Sequence, residues 1–181
     1  MKLNKIMVAM GFGLVMATGA ANAADGKVTI KGSVTDAPCS IDSGSMDQVV
    51  EMGAISEKAL IDGKQSGNKN FTIKLENCQL DAGKNSVKIS FKGVVAGPGD
   101  NNFGVTGTAA GISLGLLTSD NKVVVPNAPV TLPITDRMNE LTFSTFVQGD
   151  KMIEGEEGAN AVNPITAGSF SATLDFTMDY S

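Results

Sequence analysis

From Phe170 to Tyr180 the chain alternates without a break. Phe170, Ala172, Leu174, Phe176, Met178 and Tyr180 are apolar or small, and every odd position from Ser169 to Ser181 is Ser, Thr or Asp. A period of two held over this length predicts a β-strand with one buried face. Because the alternation runs to the last residue, no later segment is expected to pair with its flank. A long apolar strand with an open edge is a template for another strand, so this segment is expected to have a partner.

The opposite end of the chain reads differently. "MKLNK" carries two lysines, "IMVAMGFGLVMA" is uncharged and apolar, and Ala21-Asn22-Ala23 supplies small residues in an A-x-A pattern. This predicts a secretory signal peptide over residues 1–23, cleaved before Ala24. The mature chain would begin with an N-terminal arm, residues 24–35, ahead of one domain, residues 36–181. Without Lys2 and Lys5, 12 basic side chains face 19 acidic ones. Such a balance offers nothing to nucleic acid. No further apolar run is long enough to span a bilayer, so no membrane insertion of the mature chain is expected.

Two cysteines, Cys39 and Cys78, lie in the exported part, and an even count in an oxidising compartment predicts a disulfide. With no histidine and no further cysteine in the chain, no zinc site is expected, and a Ser-His or Cys-His pair is excluded. Glu154, Glu156 and Glu157 sit in a Gly-rich stretch that reads as a solvated loop. Asp100, Asn101 and Asn102 lack the spacing of a calcium loop and read as a turn. The expectation is therefore no enzyme, no metal and no cofactor.

Between the ends, short period-two runs alternate with Gly, Asn, Asp and Pro, the pattern of an all-β sandwich. "GKVTIKGSV" places Val28, Ile30 and Val34 on one face and Lys27, Thr29, Lys31 and Ser33 on the other. "MDQVVEM" is a further short run. "FTIKLENC", "SVKISFKG" and "ELTFSTFVQGD" are expected strands, and "GISLGLLTSDNKVVVP" a hairpin returning on Val123 and Val125. "ISEKALIDGK" allows a turn or two of helix. Residues 93–111 and 149–168 read as loops.

The arm "GKVTIKGSVTDAPCSID", the second cysteine in "FTIKLENCQL" and the ending "GSFSATLDFTMDYS" together resemble the pilin subunits of chaperone–usher fimbriae, most of all the major rod subunits of P and type 1 pili. The resemblance implies an incomplete immunoglobulin-like β-sandwich that lacks its last strand and leaves a groove along the terminal one. It implies that Val28, Ile30, Gly32 and Val34 form a donor strand, with Gly32 approaching a shallow part of a neighbour's groove. It also implies that Ala172, Leu174, Phe176, Met178 and Tyr180 line the acceptor groove. The implied partners are a periplasmic pilus chaperone, which grips the strand bearing Tyr180, an outer-membrane usher, and neighbouring pilin subunits. The implied location is the cell-surface fimbrium of a Gram-negative bacterium, reached through the periplasm. Two other classes compete with this expectation: a minor tip or carbohydrate-binding subunit, and a self-complemented secreted sandwich.

Overall fold

The computed structural model describes residues 27–97, 100–153 and 162–181. The expected signal peptide and the glutamates of "EGEEG" lie outside these residues. The chain divides after Thr35 into a leading segment and a compact unit, Asp36–Ser181.

The compact unit is two facing antiparallel sheets and a small ladder. Its strands are β1 (Ser40–Ile41), β2 (Lys69–Cys78), β3 (Ser86–Lys92), β4 (Thr106–Gly107), β5 (Ile112–Thr118), β6 (Pro129–Pro133), β7 (Arg137–Gly149), β8 (Phe170–Ser171) and β9 (Asp175–Tyr180). The larger sheet runs β1-β2-β7-β5, the smaller β6-β3-β9, and β4 pairs with β8. Two four-residue helical turns, α1 (Ser43–Met46) and α2 (Glu57–Leu60), are the helices among the described residues.

The period-two pattern sets which side chains meet between the sheets. Ile73 and Leu75 of β2, Leu141, Phe143 and Val147 of β7, and Val87, Ile89 and Phe91 of β3 are all buried. Phe143 lies at the centre. Its ring stacks on Phe71 at 5.5 Å and meets Phe91 edge-on at 5.0 Å, joining the two sheets through aromatic contact. Cys39 and Cys78 form a disulfide across 39 positions of sequence, tying the start of the unit to the end of β2. In the chain-entropy model a loop of this size stabilises the fold by about 4 kcal/mol.

The strands expected from "FTIKLENC", "SVKISFKG", "GISLGLL" and "ELTFSTFVQGD" are present, as is the helical turn in "ISEKALIDGK". Other expectations are corrected. "MDQVVEM" forms no strand, and Val49 is exposed. In the expected hairpin the return is one residue out of phase. Val124 is the buried residue and donates its N–H to Leu116, whereas Val123 is exposed. The cause is a tight loop in which Thr118 accepts the N–H of Lys122 on its hydroxyl and bonds to Asp120 through the same group.

β6 is a strand that sequence reading passed over because prolines bound it; its place at a sheet edge is where proline is tolerated. The expected loop 93–111 contributes a core residue, Phe103, bridged to Leu114. Within that loop Asn102 bonds to Ser113 and Gln148, an anchoring role for a residue read as part of a turn.

The terminal run is also two strands, where one was expected. Phe170–Ser171 pair with β4, and Asp175–Tyr180 pair with β3. Ala172, Thr173 and Leu174 cross between the two ladders.

Phe143→Ala is expected to lower the unfolding free energy by about 3–5 kcal/mol in a denaturant titration, because it opens a cavity between the sheets. Val123→Ala, at an exposed site, is expected to change it by about 0.5 kcal/mol or less. Replacing both cysteines with serine should cost about 2–5 kcal/mol in the same titration. A stability equal to that of the oxidised protein would show that the β2 end is held without the bond.

Candidate functional site: an open strand edge above an apolar groove

A sandwich has sheet edges, and in this one nearly all are blunted. β1 is two residues long, and β6 begins and ends with proline. β5 is covered along its outer side by bridges to Phe103 and Val123. The exception is β9, which lies at the end of its sheet with β3 on one side and, among the described residues, no strand on the other.

The ladder determines which groups face that edge. Ser86 and Ser181 exchange both backbone hydrogen bonds, N to O at 3.1 and 3.0 Å. In an antiparallel pair such exchange recurs at every second residue. The register then gives the paired positions of β9 as Asp175, Thr177 and Asp179, opposite Lys92, Ser90 and Lys88. The N–H and C=O groups of Phe176, Met178 and Tyr180 therefore point outward, to the open side. The same three residues carry their side chains toward the core, so backbone demand and apolar surface coincide.

That apolar surface is only half covered. Ala172, Leu174, Phe176, Met178 and Tyr180 are each half-buried, whereas their neighbours on β3 (Val87, Ile89 and Phe91) are at most 2% exposed. Beside them lies a groove of about 910 Å³. One wall is the segment around Val49 to Met52, the other runs from Gly168 to Phe176, and Ile73, Leu114 and Leu116 form part of its floor. Phe176 also touches the central aromatics, its ring centroid 6.1 Å from that of Phe91. The groove is thus an opening into the core.

Along it, an unpaired strand edge lies beside apolar side chains. Tyr180 directs its hydroxyl to the Met178 sulfur at 3.7 Å, and burial pushes its phenol pKa up. Among the described residues no group of three or more metal-ligating side chains is assembled. The residues expected to line an acceptor groove thus fall along one edge: Ala172, Leu174 and Phe176 in the groove wall, and Met178 and Tyr180 continuing the row. "MDQVVEM" supplies the opposite wall, a role that period-two reading missed, since its residues act there without strand pairing.

The residues expected to form the donor lie in the leading segment. Residues 27–35 form no strand, and Val28 and Ile30 are 87% and 91% exposed, with Val34 and Gly32 exposed as well. A side chain added at Gly32 would meet nothing within 4 Å.

A family model described as fimbrial protein matches residues 28–181. The fimbria A protein of Serratia marcescens is 39% identical, the alignment covering 99% of each chain. The major MR/P fimbria protein of Proteus mirabilis is 33% identical with the same coverage. Among solved structures, a chaperone–usher pilus studied for rod uncoiling superimposes with a TM-score of 0.72 at 28% identity, covering 87% of this chain and 96% of the other. The crystal structure of the P pilus rod subunit PapA gives a TM-score of 0.66 at 24% identity, covering 80% and 100%. With its open edge and apolar groove, the chain belongs to the fimbrial protein family.

Proposed function

We propose that this protein is the major structural pilin of a chaperone–usher fimbria and that its subunits join by strand donation. The role is structural and non-enzymatic, polymerisation is with neighbouring pilins, and the place of action is the cell-surface fimbria of a Gram-negative bacterium. Donation proceeds from the arm of one subunit, carrying Val28, Ile30, Gly32 and Val34, to the β9 groove of the next. The observation that carries this reading is the unblunted edge of β9, whose outward backbone groups and half-covered apolar row stand ready for one more strand.

The physical case rests on two deficits that cancel. The arm leaves Val28, Ile30 and Val34 in water, and burying each is worth about 1.5–3 kcal/mol. Among the described residues, the groove leaves outward peptide groups of Phe176, Met178 and Tyr180 with no strand to pair them, and each hydrogen bond contributes about 0.5–1.5 kcal/mol net. Ordering the arm opposes both by about 1–2 kcal/mol per residue. Apolar contact and ladder are consequently needed together, and a strand once inserted leaves only by losing both at once, which gives the joint kinetic stability.

Before a neighbour arrives, the same edge calls for temporary cover. A periplasmic chaperone that lends a strand and grips Tyr180 and Ser181 would supply it, with the outer-membrane usher as the place of exchange. Export through the periplasm rests on the signal-peptide pattern of residues 1–23.

Ile30→Asp in the full chain should abolish fimbriae seen by electron microscopy, while the protein still forms its Cys39–Cys78 bond and keeps its β-rich circular dichroism. An inserted strand cannot bury an unpaired carboxylate there. Fimbriae of normal length from this variant would refute strand donation by the arm.

A further inference from the structure

Of the nine methionines in the chain, four fall within residues 1–23 and five follow, and three of these five border the groove. Met46 and Met52 stand in one wall, and Met178 continues the row of β9. Met138 lies apart, beside Cys78 and Arg137 at the disulfide end, and Met152 follows β7. Methionine differs from the other apolar side chains of the groove in that a mild oxidant turns it polar.

Met178 is the one whose place is fixed at the open edge. Met46 is 65% exposed at the end of α1, and Met52 lies outside any ladder, so neither is tied to that edge. Met178 is held by the β3 ladder opposite Ile89, which is fully buried, and packs on the core between Phe176 and Tyr180. It is only half-buried, and the open side of β9 leaves it within reach of solutes. The Tyr180 hydroxyl donates to its sulfur at 3.7 Å.

Resting on the strand-donation reading above, we propose that Met178 is an oxidation site whose sulfoxide closes the groove to an incoming strand. The oxidant class is a peroxide. A sulfur lone pair attacks one oxygen of hydrogen peroxide, so that an S–O bond forms as the O–O bond breaks. The proton on the transferred oxygen passes to the departing hydroxide, which leaves as water. Sulfur is oxidised by two electrons and the peroxide is reduced by two.

The open subunit accommodates the product, because water and the Tyr180 hydroxyl can both donate to the new oxygen. A strand laid along β9 removes the water and encloses that oxygen among apolar side chains, a cost absent from the unoxidised joint. Nor can the side chain turn aside, since the pleat directs it to the core face while β9 stays paired with β3. The effect has an order in time. A subunit oxidised first is refused by the filament, whereas a strand already in place shields the sulfur.

The test uses the full chain carrying Ile30→Asp, whose own arm is disabled, with a fluorescent peptide of residues 24–35 as the incoming strand. That peptide contains no methionine, so its own chemistry is unchanged by peroxide. The chain is treated with hydrogen peroxide, the excess is removed with catalase, and sulfoxides are located by mass spectrometry. Oxidation at Met178 should weaken peptide binding about tenfold or more, and methionine sulfoxide reductases should restore it. Adding Met178→Leu, of similar volume, should hold binding after peroxide within about twofold of its untreated value. Met138→Leu should leave the sensitivity unchanged. Fimbriae sheared from cells making the native chain should gain about tenfold less sulfoxide at Met178 than the Ile30→Asp chain under the same treatment.

Undiminished peptide binding by a chain oxidised at Met178 overturns the proposal and leaves strand donation standing. So does a Met178→Leu chain that loses binding as the parent does, a Met178 that resists peroxide, or equal oxidation of Met178 in fimbriae. Failure of the peptide to bind the untreated chain overturns strand donation itself, and this proposal with it.

Discussion

The constraint on which the rest of this molecule depends is a strand that, among the described residues, is paired on one side only. β9 is bonded to β3 along one edge, while the peptide groups of Phe176, Met178 and Tyr180 face away from it. Other edges in the described structure are short, bounded by proline or bridged, the usual defences against edge-to-edge pairing. Exposure at one edge, with protection elsewhere, converts a general liability into a single directed contact. In the proposed joint one such edge and one arm would meet head to tail, and head-to-tail contacts that do not close produce filaments.

Filling the groove is connected to the core by aromatic contact. Phe176 touches Phe91, Phe91 touches Phe143, and Phe143 stacks on Phe71. The first ring belongs to the half-covered row and the next two are buried between the sheets. A strand that removes water from Phe176 therefore extends the same packed cluster that holds the two sheets together. In the proposed joint, donated strand and domain core would form one hydrophobic body, so that its loss would expose core surface and a joint made by one short segment would resist dissociation.

Much of this was legible in the sequence because the period is two and the faces differ so clearly. The alternation in "SVKISFKG" and "ELTFSTFVQGD" identifies the buried Val87, Ile89, Phe91, Leu141, Phe143 and Val147 without reference to any fold. Where reading failed, a local feature broke the period. The Thr118–Lys122 loop shifted the return of the β5 hairpin by one residue, so Val124 is inside and Val123 outside. Ladder exchange at Ala172–Leu174 divided a run of uniform pattern, since β4 and β3 lie at different places along it. Phe103 came from a stretch rich in glycine, where one aromatic residue is the whole signal. The groove wall at Val49–Met52 could not be told from a strand in the sequence because it lines the groove outside any ladder.

The division of labour between the two faces of a donated strand follows from how each kind of contact falls off with displacement. Burial of Val and Ile is non-directional and depends on area, so it supplies free energy while tolerating a shift by one repeat of the pleat. Charges on the outer face supply little free energy in water, but their sign depends on which residue stands opposite. A filament of many identical joints needs both properties: strength enough to persist, and one register, because an error of one repeat at a joint would displace each later subunit by about 7 Å along the strand.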